Sequence, residues 1–151
     1  MMSTLERAIA IAAEAHTGHI DKAGEPYILH PLRVMLALER PEDRIVGVLH
    51  DVVEDNVAWP LSALRAEGFS DIIIQAVDAV SRRESEDYEA FIRRAALNEI
   101  GRRVKLADLA DNMNLMRIKT PAADDHARME RYRKAKKTLL AEQTVRKTEV
   151  P

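Results

Sequence analysis

The stretch Val48-Leu49-His50-Asp51-Val52-Val53-Glu54-Asp55 sets one imidazole and three carboxylates inside an aliphatic run that begins at Ile45. On a helix turning ~100° per residue, His50, Asp51, Glu54 and Asp55 share an arc of roughly 140°. Ile45, Val46, Val48, Leu49, Val52 and Val53 fill most of the remaining circumference. The pattern predicts one central helix, buried on most sides, with an acidic, His-bearing stripe. Such a stripe repels itself and loses hydration on burial, and a bound cation relieves both costs. His50 and Asp51 point ~100° apart on a helix, so other elements must complete the shell around an ion. Two candidates are His30, at a helix start, and Asp108, which shares a helical face with Asn112 four residues on.

The elements that must position these residues read as helices throughout. Ser3 to about His16 is the first, capped by Ser3 or Thr4 and ended by Thr17-Gly18. A polar loop follows to Tyr27, broken by Gly24 and Pro26. Tyr27 to Leu38 carries Pro31 near its start, where a missing N–H costs little. Pro41-Glu42-Asp43 opens the central helix with acids in its first turn. Asn56 to Pro60 is a break, Leu61 to Glu67 a short helix stopped by Gly68, and Ser70 or Asp71 to Val80 another. Helices over Asp87–Asn98 and Gly101–Met116 follow a charged connection, and Pro121 opens the last. Residues 1–142 read as a single domain and 143–151 as a polar tail that frays.

Composition narrows the class. A chain of 151 residues is one domain by length, and 46% hydrophobic content with 4% aromatics implies an aliphatic core suited to helix packing. A formal net charge of −2 gives no broad attraction to nucleic acid, and the absence of cysteine excludes disulfides and thiolate chemistry. No run reaches membrane-spanning length and no charged-then-apolar leader precedes the first helix, so a cytoplasmic protein with no membrane partner is expected.

A His, an adjacent His-Asp pair and a distant Asp resemble the pattern of HD-domain metallophosphohydrolases. More closely, Gly24-Glu25-Pro26-Tyr27-Ile28-Leu29-His30-Pro31-Leu32, Leu49-His50-Asp51-Val52-Val53-Glu54-Asp55 and Lys105-Leu106-Ala107-Asp108 with Asn112-Met113 resemble the three ordered hydrolase motifs of RelA/SpoT-type enzymes. The likeness runs from about His16 to Met116. The synthetase and regulatory regions of the long enzymes have no counterpart, so the chain resembles a stand-alone small alarmone hydrolase of the stringent response. The resemblance implies an all-α HD-domain helical bundle with Mn²⁺ held by His30, His50, Asp51 and Asp108, although Fe²⁺ and Zn²⁺ suit the same ligands. It implies that Glu54 and Asp55 position or deprotonate the attacking water. Lys22 and Lys105 would face phosphates, Asn112 the ribose, and Tyr27 the pocket wall. The implied reaction is hydrolysis of guanosine 3′,5′-bis(diphosphate)-type alarmones to GDP or GTP and pyrophosphate. A monomer or homodimer with a small nucleotide substrate and no stable nucleic-acid partner is the expected form.

The likeness departs from the family at two places. Asp21 stands where an Arg that packs on guanine is usual, and Asn114 and Leu115 where Arg and Thr are usual. An acid cannot stack on a base by cation–π attraction. An adenosine polyphosphate or another 3′-phosphorylated nucleotide is the alternative substrate, and a non-catalytic nucleotide sensor the alternative class. The remaining polar residues read more plainly. His16 or His19 caps or packs near a helix end, His126 lies on the surface, and Asp111 reads as a solvated acid first and a pocket residue second. Arg82 and Arg83 read as solvated connection charges, with contact to a substrate phosphate by one of them as the alternative, and the basic run from Arg128 to Lys137 is an outer face rather than an RNA surface.

Overall fold

The computed structural model describes residues 2–114 and 122–149. Leu115, Met116 and Pro121 lie outside the described residues. The architecture is all-α, as the periodicity implies. The described helices are α1 (Leu5–Ala15), α2 (Leu29–Leu36), α3 (Pro41–Leu49), α4 (Val52–Asp55), α5 (Leu61–Ala66), α6 (Asp71–Ala79), α7 (Tyr88–Leu97), α8 (Glu99–Asn112) and α9 (Ala123–Glu149). Among the described residues there is no strand, only an isolated antiparallel bridge between Ile20 and Pro26 that pinches the loop before α2. No described helix is long and apolar enough to cross a membrane.

Local chemistry explains the boundaries. Thr4, Ser70, Asp87 and Asn98 each accept a backbone N–H with the side chain at the starts of α1, α6, α7 and α8. The Asn98 cap starts α8 two residues earlier than the sequence pattern suggests. Gly68 (φ +97°) turns the chain out of α5 in a conformation few other residues adopt. Helix α9 continues through the residues read from sequence as a polar tail, reaching Glu149.

Helix α3 is the centre of the bundle and packs on α1, α2, α6 and α8. Val46, Val48 and Leu49 are fully buried with Ile11, Val34, Val52, Leu64, Val77 and Val104. Each such side chain contributes about 1.5–3 kcal/mol through burial. A smaller core of Phe91, Ile92, Ala96, Leu109, Ala135 and Leu139 joins α7, α8 and α9. Gly47 sets the approach of α3 to α2, since a Cβ there would meet Leu38 Cδ1 at 2.9 Å. At its other end α3 is locked to α8 by Arg103, whose Nε and Nη2 donate to the buried Asp43 carboxylate at 2.6 and 2.9 Å.

The central stretch is not one helix. Helix α3 ends at Leu49, His50 and Asp51 form a turn, and α4 is a single further turn. The cause is visible in the buried His50 imidazole. His50 Nδ1 donates to the Gly47 carbonyl at 2.6 Å, the acceptor that the Asp51 amide would use in a continuous helix. Asp51 then takes φ −101°, ψ −4°, which bends the chain and re-aims its side chain.

Candidate functional site

Three elements deliver side chains to one point. His30 comes from the first turn of α2, His50 and Asp51 from the bend after α3, and Asp108 from the third turn of α8. His30, His50 and Asp108 are 4%, 1% and 3% exposed, so these polar groups must find partners inside the protein. They find one another. His30 Nε2 lies 2.8 Å from Asp108 Oδ1 and 3.7 Å from Asp51 Oδ2. His50 Nε2 lies 3.0 Å from Asp51 Oδ2 and 3.2 Å from Asp108 Oδ1. Ligand atoms of His30, His50 and Asp51 all lie within 4.8 Å of one another, close enough to hold a metal ion.

The other ring nitrogens decide what this cluster wants. His50 Nδ1 donates to a carbonyl, and His30 Nδ1 faces Asp111 Oδ2 at 2.6 Å. With Nδ1 on an acceptor in each ring, both Nε2 atoms aim at carboxylates and must carry a second proton or meet a cation. Burial alone lowers the affinity of His50 for a proton, but Asp51 and Asp108 outweigh it and raise its pKa well above the ordinary imidazole value. For His30, burial is likewise outweighed by the hydrogen bonds to Asp108 and Asp111. Asp108 is held well below the usual carboxylate range, since Lys105 and His50 overcome its burial. Two imidazole nitrogens opposed to carboxylates, with Nδ1 already engaged, form a donor set that fits a divalent cation.

Around this centre the other sequence-derived candidates divide. Tyr27 donates its hydroxyl to Asp51 Oδ2 at 2.5 Å. Lys105 is buried; its Nζ donates to Asp108 Oδ2 at 2.7 Å and sits 4.9 Å from the Phe91 ring centre. Asn112 Nδ2 donates to Asp108 Oδ1 at 3.0 Å. Glu54 lines the same small cleft, of about 190 Å³, and accepts the Arg82 backbone N–H. Arg94 fixes that connection by donating to Glu86, to the Ser81 carbonyl and to the Asp78 carbonyl. Asp55, beside Glu54 on α4, is pushed up to about 6 by partial burial of its carboxyl and then by the Asp51 charge. Lys22 stands apart from the cluster, exposed on the rim of a second cavity of about 360 Å³. That cavity shares Tyr27, Asn112 and Tyr132 with the cleft and adds Arg33, Asn114 and Arg128.

Asp111 is not the solvated acid its sequence context suggests. It bridges His30 Nδ1 and Arg33, whose Nε donates to Asp111 Oδ1 at 2.7 Å. Helical spacing carries the signal: Asp111 is three residues after Asp108, and Arg33 three after His30. Asp21 holds its own loop, with Oδ1 accepting the Ala23 and Glu25 amides at 2.8 and 2.9 Å. His16 is buried at the end of α1, its ring 5.0 Å from Tyr27. His126 is exposed, as its context suggests.

No protein-family model matches the chain. Among curated proteins it is similar to a GTP pyrophosphokinase of Streptomyces coelicolor, 33% identical over 75% of this chain and 15% of the relative. A probable GTP pyrophosphokinase of Mycobacterium leprae is 32% identical over 91% of this chain and 18% of its own length. A guanosine-3′,5′-bis(diphosphate) 3′-pyrophosphohydrolase of Haemophilus influenzae is 32% identical over 85% of this chain and 20% of its own length. The chain thus spans a fifth or less of these relatives, two of which are named as GTP pyrophosphokinases and one as a guanosine-3′,5′-bis(diphosphate) 3′-pyrophosphohydrolase.

Proposed function

We propose that the chain is an HD-type phosphohydrolase that removes the 3′-pyrophosphate of a guanosine polyphosphate, leaving GDP or GTP and releasing pyrophosphate. The observation that carries this reading is the convergence of His30 and His50 Nε2 on Asp51 and Asp108 with both Nδ1 atoms already engaged. His30, His50, Asp51 and Asp108 would hold one divalent cation, Mn²⁺ by the resemblance to RelA/SpoT-type enzymes, with Fe²⁺ or Zn²⁺ suited to the same ligands. When bound, that ion supplies Lewis-acid polarisation of a phosphoryl oxygen and a water made acidic near neutral pH.

The chain's own residues do the rest. The His50–Gly47 and His30–Asp111 contacts fix both rings, and Tyr27 fixes Asp51. Glu54 faces the cleft and is the general base for the attacking water, with desolvation raising its pKa above the ordinary carboxylate value. Asp55 is the second acid of the pair. Lys105 offsets charge on the scissile phosphoryl group from its place on Asp108. Asn112 meets the ribose where the cleft and the larger cavity join. Lys22, on the rim of that cavity, faces the phosphates of the 5′ arm. We take residues 1–142 as the catalytic unit, acting in the cytoplasm as a monomer or homodimer.

A second reading keeps the chemistry and changes the base. It is favoured by Asp21, whose carboxylate is engaged with its own loop and offers no cationic face for a guanine. One experiment addresses both: Mn²⁺-loaded protein is incubated with guanosine and adenosine nucleotides bearing 3′-diphosphate or 3′-monophosphate groups. Pyrophosphate release from the guanosine 3′-diphosphate supports the first reading, and preference for the adenosine compound supports the second. Orthophosphate as the only product points to a monophosphate hydrolase. Binding without any turnover leaves a nucleotide sensor.

A further inference from the structure

The cleft holds a cation that the proposed reaction has not used. Arg131, on α9, lines it together with Glu54, Lys105 and Asp108. Lys105 is engaged with Asp108, and Arg82 donates its Nε to the Glu86 carbonyl. Arg131 makes no ion pair or hydrogen bond among the described residues. Its guanidinium carbon rests instead 5.2 Å from the Tyr88 ring centre and 6.0 Å from that of Tyr132. The Tyr88 hydroxyl is buried and has no hydrogen-bond partner among the described residues, so what the fold uses there is the ring. An exposed cation–π contact is weak, whereas a guanidinium on phosphate makes a charge-assisted, two-pronged bond. A phosphate entering the cleft therefore outcompetes the ring.

We propose that Arg131 is a phosphate-receiving arm, rested on Tyr88 until substrate binds, that grips the terminal phosphate of the group being hydrolysed and so selects a pyrophosphorylated arm over a monophosphate. The inference rests on the phosphohydrolase reading, and it places the specificity for phosphate-chain length on α9. The ligand set comes from α2, the bend after α3, and α8, so the arm reaches the cleft from a different element. A 3′-monophosphate fills the position beside Asp108 and Lys105 but gives Arg131 nothing to hold.

The test compares Arg131→Gln, Arg131→Lys and the unmodified protein, each Mn²⁺-loaded and checked for helix content. Calorimetric titration with inorganic pyrophosphate and with orthophosphate reads the arm without any turnover. Arg131→Gln should weaken pyrophosphate about tenfold while orthophosphate moves by less than about twofold. Arg131→Lys should fall between, because an ammonium lacks the planar fork. Equal weakening of both anions, no change in either, or an unmodified protein that binds pyrophosphate no better than orthophosphate each overturns the assignment. The two proposals fail separately. An unmodified protein that cleaves 3′-diphosphates with an Arg131→Gln KM unchanged sinks the arm alone. A protein that cleaves no nucleotide, yet loses its pyrophosphate preference in Arg131→Gln, sinks the hydrolase reading and supports the arm.

Discussion

Two kinds of buried imidazole sit side by side in this protein. His16 is 2% exposed, and neither ring nitrogen has a hydrogen-bond partner among the described residues. His50 is 1% exposed, with one nitrogen on a carbonyl and the other between two carboxylates. Burial is the same, but the proton affinities are opposite. Burial drives His16 down to about 4, while Asp51 and Asp108 overcome burial and lift His50 well above its ordinary value. Burial thus makes an imidazole neutral by default, and opposed carboxylates make it seek positive charge. The first environment suits a packed core ring, the second a metal ligand.

Removing a carboxylate from the second environment should have the largest effect. Asp51→Ala should abolish Mn²⁺ retention on dialysis and reduce turnover by more than about 10³-fold. Circular dichroism should show the helices largely intact. A variant that keeps its metal and rate contradicts the assignment. Glu54→Gln touches neither imidazole set and separates holding an ion from using it. Metal content should stay, while kcat falls by about 10²–10⁴-fold; an unchanged rate would move the base role to Asp55.

The first environment is sharpened by pH. The folded-state pKa of His16 lies below its unfolded value of 6.5. Its contribution is therefore fully present above pH 6.5 and is lost as pH falls toward 4. The shift corresponds to about 2 kcal/mol lost at pH 5 and about 3 kcal/mol near pH 4. Urea unfolding at pH 7.5 and pH 5 should show this loss in the unmodified protein and a flatter profile in His16→Met. Parallel profiles would mean that His16 finds a proton acceptor. A comparable change, read in metal affinity, is expected from Asp111→Asn, which keeps an oxygen near His30 but removes the charge. Mn²⁺ affinity should drop by about 10–100-fold with Glu54 chemistry unaltered.

Much of this was legible in the residues. Leu5–Ala15, Asp71–Ala79 and Tyr88–Leu97 follow their apolar stripes to within a residue or two, because caps and stripes are local. His30, His50, Asp51 and Asp108 stand out by type and order, and the structure brings them together. What escaped was non-local or side-chain-driven. The bend at His50-Asp51 comes from an imidazole competing for the Gly47 carbonyl, which periodicity cannot register. Asp111 looked solvated because its partners, His30 and Arg33, lie about eighty residues away. Asp21 read as a lost base contact, whereas its carboxylate ties down two amides of its own loop.

The Arg103–Asp43 lock deserves a mechanical reading. It fastens the start of α3 to α8, whereas His50 hangs from the far end of the same helix, some two turns away. A fault at this fastening would act like a loosened bolt at the root of a lever: little disturbance beside it, the widest swing at the tip. Weakening it should therefore yield a chain that still melts as one piece yet sheds its ion first on warming. Fidelity of the proposed metal pocket is in this sense maintained from a distance, by a pair of side chains that never touch it.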